Sequence, residues 1–384
     1  MQASLYNLEP LLALMGLGLL VAGLPLAWFW RRQRTATPRQ RLKALTLLVL
    51  TLTFELVLVG AFTRLTDSGL GCPDWPGCYG SASPLGAAQH IRAAEEAMPT
   101  GPVTHSKAWI EMVHRYMATG VGVLIIVLTL WTWRVWRRDR AQAVHPLWPA
   151  LTLLWVCLQG AFGALTVTMK LFPAIVTLHL LLAVGLLVLL MMQAVRYEGW
   201  GQVAVGAGLR TGLWLALALL ALQIALGGWV STNYAVLACR DFPTCQGQWW
   251  PAMNWQGFAL WRELGHGTDG QPLPFDALAT IHHIHRSMAW PVLAVLVALG
   301  WRLRAFSALR RGAQGLLALA ALQLLTGLSN VVLGWPLLAA VLHTGGASAL
   351  MVTLVWLLAR SRVAAPLSAS VPGRAFSDPS RPVA

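Results

Sequence analysis

The chain has 384 residues, of which 57% are hydrophobic and only 11% charged, where a soluble globular domain runs at about 25% charged. A water-facing surface cannot be built from so few charges, and apolar runs of about twenty residues recur from end to end, so the composition excludes a soluble fold and points to a polytopic membrane protein. The formal net charge of +14 has to be read by its position along those runs, not as a nucleic-acid footprint.

In chain order the predicted spans are 11–30, 44–63, 109–133, 147–169, 174–195, 211–232, 278–301, 313–334 and 337–359. The alternating strands of a membrane barrel are absent, so the spans are helices and the fold class is all-α. The first span has no basic segment before it and is followed by Arg31, Arg32 and Arg34, which reads as a retained anchor helix and not a cleaved signal peptide. Segments 31–43, 134–146, 196–210 and 302–312 and the tail hold 20 of the 28 basic residues. The opposite loops hold Arg64, Arg92, Lys107, Lys170, Arg240 and Arg262 alongside eight acids. The positive-inside rule then predicts an outside N-terminus and a cytoplasmic C-terminus. The 20 Trp outnumber Phe and Tyr together, as interfacial belts require. The tail from about 364 is rich in Pro, Ser and Ala and reads as disordered.

A duplication organises the chain. The loop after the second span reads Cys72-Pro73-Asp74-Trp75-Pro76-Gly77-Cys78 and the loop after the sixth reads Cys239-Arg240-Asp241-Phe242-Pro243-Thr244-Cys245, each beginning twelve residues after a glycine, Gly60 or Gly227. His114-Arg115-Tyr116-Met117-Ala118 recurs as His285-Arg286-Ser287-Met288-Ala289, Gln159-x3-Gly163 as Gln323-x3-Gly327, and Leu178-His179 as Leu342-His343. Four ordered matches predict two four-helix units related by an axis along the membrane normal. The expected division is an anchor and basic linker over 1–40, a first unit over 41–200, a second over 201–363 and a tail over 364–384.

The four repeated histidines each lie about six residues inside a predicted helix that starts on the outer side, about 9 Å deep. One intramembrane histidine is as readily a packing residue; four at one depth, paired by duplication, are not. Two imidazoles underfill zinc or copper but suffice as axial ligands of a heme iron, so His114 with His179 and His285 with His343 predict one bis-histidine heme per unit. No C-x-x-C-H motif is present, which excludes covalent attachment. Gly60, Gly163, Gly227 and Gly327 permit close helix approach, although small residues in membrane helices are also plain packing devices. Arg64, Arg115, Lys170 and Arg286 are candidate contacts for heme propionates, with interfacial snorkelling as the equal alternative. The units differ at one place: Glu111 sits one turn before His114, where the second unit has His282 beside His283. A carboxylate beside one pair only predicts proton-coupled chemistry in the first unit, against the alternative of an acid suited to a helix N-terminus. Glu55, in the second span, has no repeat counterpart. The cysteine pairs Cys72/Cys78 and Cys239/Cys245 are expected to close two loop disulfides on the oxidising side. Cys157 reads as a small buried apolar residue.

The run Thr63-Arg64-Leu65-Thr66-Asp67-Ser68-Gly69-Leu70 before the first cysteine loop, with Glu111-x-x-His114-Arg115, His179, His285-Arg286 and His343, resembles the heme A synthases over about 44–360. The resemblance implies an eight-helix core that oxidises the C8 methyl group of heme O to the formyl group of heme A by successive hydroxylations and loss of water. It implies heme O between His114 and His179, Glu111 as the catalytic carboxylate, a heme b cofactor between His285 and His343, and a part for Cys72 and Cys78 in activity. It also implies a bacterial inner-membrane location. The partners that follow are a heme O synthase, terminal oxidase assembly factors, a separate electron donor or acceptor and the lipid bilayer, but no nucleic acid. The helix over 11–30 departs from the eight-helix pattern. Two other classes compete: a diheme b-type cytochrome exchanging electrons with quinol, which has no use for Glu111, and a transporter, which has no use for axial histidine pairs.

Overall fold

Each apolar run becomes a helix whose ends are set by local chemistry. The computed structural model describes residues 9–198 and 201–364. Its helices are α1 (Glu9–Arg32), α2 (Pro38–Leu65), α3 (Ala88–Ala97), α4 (His105–Arg138), α5 (Leu147–Thr168), α6 (Pro173–Tyr197), α7 (Ala207–Thr232), α8 (Phe275–Leu303), α9 (Arg310–Val332) and α10 (Leu337–Arg360). All except α3 are long and apolar enough to cross a membrane, so the protein is an all-α, multi-pass membrane protein. At α2, Thr37 and Gln40 form a reciprocal capping box and Pro38 supplies a preset φ at the first helical position. α4 starts four residues before the predicted 109 because the Thr104 hydroxyl caps it, accepting from the Lys107 N–H at 3.3 Å. α8 likewise starts before 278, directly after the extended Pro274. These two helices therefore rise further above the histidines than the sequence predicted.

Two small elements were not predicted. α3 is a short surface helix whose Ile91 is buried. A parallel pair, β1 (Val203–Val205) with β2 (Ser361–Val363), ties the connection after α6 to the chain leaving α10, and Arg210 donates to the Ser361 carbonyl beside it. The tail expected to be disordered lies outside the described residues from 365 onward.

Packing repeats along the chain. In the first unit α2 packs on α4 and α6, and α5 on α4 and α6; in the second, α7 packs on α8 and α10, and α9 on α8 and α10. Between units α2 meets α10, α6 meets α7, and α6 meets α10. The first two contacts exchange under a two-fold rotation and the third maps onto itself, which is the signature of an isologous interface. α1 stands outside this symmetry and lies along α4: Gly18 sits against Thr119, and Trp30 stacks on Trp131 with centroids 4.8 Å apart.

Cys157 corrects an expectation, since it is exposed and not buried. α5 buries only Pro149, Thr152 and Val167, so most of its surface, Cys157 included, faces lipid. Glu55 also points outward from α2.

Candidate functional site

The four repeated histidines are each seated against a glycine of a neighbouring helix. A Cβ built on Gly60 would stand 3.1 Å from His114 Nε2, on Gly163 3.2 Å from His179 Cε1, on Gly227 2.9 Å from His285 Cε1, and on Gly327 3.2 Å from His343 Cε1. Any side chain would push the ring, so the glycines are cradles for imidazoles as well as points of helix approach. Within each unit the two rings lie within electrostatic range of one another, His114 with His179 and His285 with His343.

Polar side chains then hold the rings. The Thr326 hydroxyl is 2.9 Å from His343 Nδ1, and the Gln323 amide donates to the His343 carbonyl at 3.0 Å. Gln223 is 3.1 Å from His285 Nδ1, and Gln159 is 3.4 Å from His179 Nε2. His179 Nδ1 is buried with no hydrogen-bond partner, as are the Oε1 atoms of Gln159 and Gln223. Sequence reasoning used Gln159 and Gln323 only as landmarks of the repeat and missed Gln223 and Thr326. The missed signal was present: Gln stands one turn before three of the four cradle glycines, and Leu56 takes its place before Gly60.

Above the first pair, Glu111 is 4% exposed and joined to the cysteine loop. The Cys72 N–H donates to its Oε2 at 2.8 Å, and Arg115 pairs with its Oε1. The other Arg115 terminus donates to the carbonyls of Asp74 at 3.0 Å, Pro76 at 3.2 Å and Gly77 at 2.6 Å. A guanidinium suits this task because its planar donors reach the carboxylate and the loop together. In the second unit the Cys239 N–H donates to His282 Nδ1 at 3.2 Å, and Arg286 donates to the carbonyls of Pro243 and Thr244, both at 3.2 Å. The duplication thus preserves the bracing and exchanges the carboxylate for an imidazole.

Both loops are closed by disulfides, Cys72–Cys78 and Cys239–Cys245. In each an aspartate gathers the turn. Asp74 accepts from the N–H groups of Tyr79 and Gly80 at 2.6 and 2.7 Å; Asp241 accepts from Thr244 and from the N–H groups of Gln246 and Gly247. The Thr244 hydroxyl, then the Gly247 and Gln246 amides, lower the Asp241 carboxyl to about 2.

The candidate propionate contacts divide. Arg64 donates to the Ser231 carbonyl and lies over the Tyr234 ring, joining the two units; Arg115 is committed to Glu111 and the loop. Arg286 keeps a buried Nη1 with no partner, and Lys170, at φ +50°, occupies the α5–α6 turn. Among the described residues no three His, Cys, Asp or Glu side chains converge as a metal-binding group.

A family model described as COX15-CtaA, cytochrome oxidase assembly protein, matches residues 43–355. The chain is 39% identical over 315 residues to the heme A synthase of Shewanella oneidensis, covering 80% of this chain and 94% of that one. It is 28% identical over 312 residues to the heme A synthase of Halalkalibacterium halodurans, covering 79% and 91%. A third relative, the heme A synthase of Rhodospirillum centenum, is 29% identical over 357 residues, covering 85% and 90%.

Proposed function

The chain belongs to the COX15-CtaA family of cytochrome oxidase assembly proteins, and on that premise we propose that it converts heme O to heme A, oxidising the C8 methyl group to a formyl group for terminal oxidase assembly. The residues suit such ligands: each unit offers two imidazoles within electrostatic range, set in cradles that a single Cβ would fill, with an orphaned ring nitrogen on His179. His114 and His179 hold the substrate heme O, and His285 and His343 hold a resident heme b. A heme with two imidazole ligands supplies one-electron transfer. Thr326 occupies His343 Nδ1 and leaves Nε2 as the ligating nitrogen. Lys170 and the free terminus of Arg286 are left to meet propionates.

The observation that carries the reading is the one chemical difference between two duplicated sites. Oxidising a methyl carbon moves protons together with the electrons exchanged with a separate redox partner, and Glu111, one turn from His114, takes up or relays those protons. The Cys72 N–H and Arg115 fix its two oxygens, so the carboxylate is oriented before substrate arrives. A diheme electron carrier would leave that carboxylate and its bracing unused. The basic segments at the opposite helix ends support a topology with the disulfide loops outside and the C-terminus in the cytoplasm. A heme O synthase, oxidase assembly factors and a separate electron donor or acceptor complete the pathway.

Glu111→Gln tests this directly. Heme A formation should be lost in cells that supply heme O, with heme O or its hydroxylated form accumulating, while the bis-imidazole heme b spectrum persists. Near-normal heme A yield would return Glu111 to a helix-end carboxylate and remove the catalytic assignment.

A further inference from the structure

The connection between α7 and α8 has a property that its counterpart in the first unit lacks. Residues 242–261 contain no charged side chain and no histidine, and they include Trp249, Trp250, Trp255 and Trp261. These four indoles are between 59% and 74% exposed. The matching loop over 79–104 has no tryptophan and carries Arg92, Glu95 and Glu96. Four exposed indoles on a water-facing loop would form an apolar patch with nothing to cover it.

The depth of the loop indicates what covers it. About twenty helical residues cross the hydrocarbon core. Counted from the basic inner ends, that places the outer boundary near residue 230 of α7, from Arg210, near 282 of α8, from Arg302, and near 176 of α6, from Arg196. The loop folds down to these levels. The Gly257 carbonyl accepts from Trp229 Nε1 at 2.9 Å, and the Asn254 N–H donates to the Thr280 hydroxyl at 2.8 Å. Trp250 meets the His283 ring edge to face, with centroids 5.1 Å apart, and Trp261 packs on Phe172 at 4.9 Å. The exposed patch is therefore continuous with the lipid-facing surface of the spanning helices.

We propose that residues 246–261 form an interfacial loop, with Trp249, Trp255 and Trp261 resting in the headgroup boundary of the leaflet on the disulfide-loop side. Indole suits that layer because its ring is apolar and its N–H still reaches water or headgroup oxygens. This inference does not depend on the reaction proposed above.

The test is a depth measurement on the full chain in lipid nanodiscs. With Cys157→Ala removing the free thiol, spin labels at Trp249→Cys, Trp255→Cys, Trp261→Cys and, as a water-side reference, Thr268→Cys are compared for collision with oxygen and with a soluble nickel chelate. Labels at 249, 255 and 261 should favour oxygen and the label at 268 should favour nickel. Nickel access at all three, or exclusion of both reagents as in a protein-covered interface, overturns the proposal. The unaltered protein gives a second reading: a lipid carrying a photoreactive diazirine near its headgroup should label peptides within 246–261. Absence of that labelling, with the spanning helices labelled in the same sample, also overturns it.

Discussion

At the scale of single residues, the sites are governed by clearances that differ by tenths of an ångström. Gly227 leaves its histidine the least room, since an added Cβ would stand 2.9 Å from His285 Cε1, against 3.2 Å at Gly163 and Gly327. A helix-buried ring cannot yield freely, and overpacking of this kind costs about 1–3 kcal/mol. Gly227→Ala should therefore lower the heme b content of purified protein more than Gly327→Ala does, read as heme per polypeptide; undiminished heme in both variants would reject the cradle. Arg115 makes a different prediction, because it joins Glu111 to three loop carbonyls. Arg115→Lys keeps the charge but cannot reach carboxylate and loop together, so heme A output should drop while the heme b spectrum stays unchanged. Loss of both signals would mark Arg115 as a general folding residue. The aspartate of the second loop sets a pH window. Asp241 is held at about 2 by the Thr244 hydroxyl and the Gly247 and Gln246 amides, below its ordinary 3.8, so the stabilisation of the turn is complete above pH 4 and is lost as pH falls towards 2. Hydrogen exchange should show the Gln246 and Gly247 amides losing protection across that interval, and a flat profile down to pH 2 would disprove it.

At the scale of elements, the helix that breaks the eight-helix pattern has work of its own. α1 lies along α4, the helix that carries Glu111, His114 and Arg115, and its Leu14 is buried with Cys72, Cys78, Ala87, Ile91, Ala108 and Met112. Pro10 lies against Gly77, whose carbonyl Arg115 holds. The back of the first disulfide loop is thus a surface of α1, and among the described residues the second loop has no such cover. A wedge at Gly18, which faces Thr119 directly, should lift α1 from α4. Gly18→Leu should make Cys72 and Cys78 easier to reduce and alkylate under mild reductant, with Cys239 and Cys245 unaffected. Equal change at both loops, or none, would refute a bracing role. Apolar run length located all nine spanning helices found among the described residues, because desolvating a backbone in lipid leaves few alternatives. The starts of α4 and α8 were missed because they depend on caps and loop contacts above the apolar segment, which hydropathy does not register. Which face of a helix meets protein and which meets lipid was equally hidden. Both faces are apolar, so Cys157 looked like a core residue.

At the scale of the whole molecule, the pattern repeats with one change. The order of matching motifs in the sequence predicts two units, and across the predicted boundary α2 packs on α10, α6 on α7 and α6 on α10. The sequence did not show how the units are fastened, since the fastening joins residues far apart in the chain. Arg64 reaches the Ser231 carbonyl and the Tyr234 ring, Tyr234 donates to Asp67, Thr177 meets Thr232 at 3.2 Å, and Gly345 packs on Leu58. Most of these contacts gather at the helix ends on the disulfide-loop side, around the turns that follow α2 and α7. An interface made of packed helix faces, with polar ties at one end, needs no continuous backbone between its halves. We therefore expect that a chain divided at the 200/201 peptide, with residues 1–200 and 201–384 expressed together, assembles in the membrane and copurifies with heme b bound in the second piece. Arg64→Ala, which removes the tie to Ser231 and the stacking on Tyr234, should weaken copurification of the divided chain far more than it lowers the yield of the intact one, because the covalent connection keeps the local concentration of the partner unit high. Pieces that fail to copurify while each remains in the membrane would mean that the two units do not fold independently, and the division at 200 would have to be abandoned.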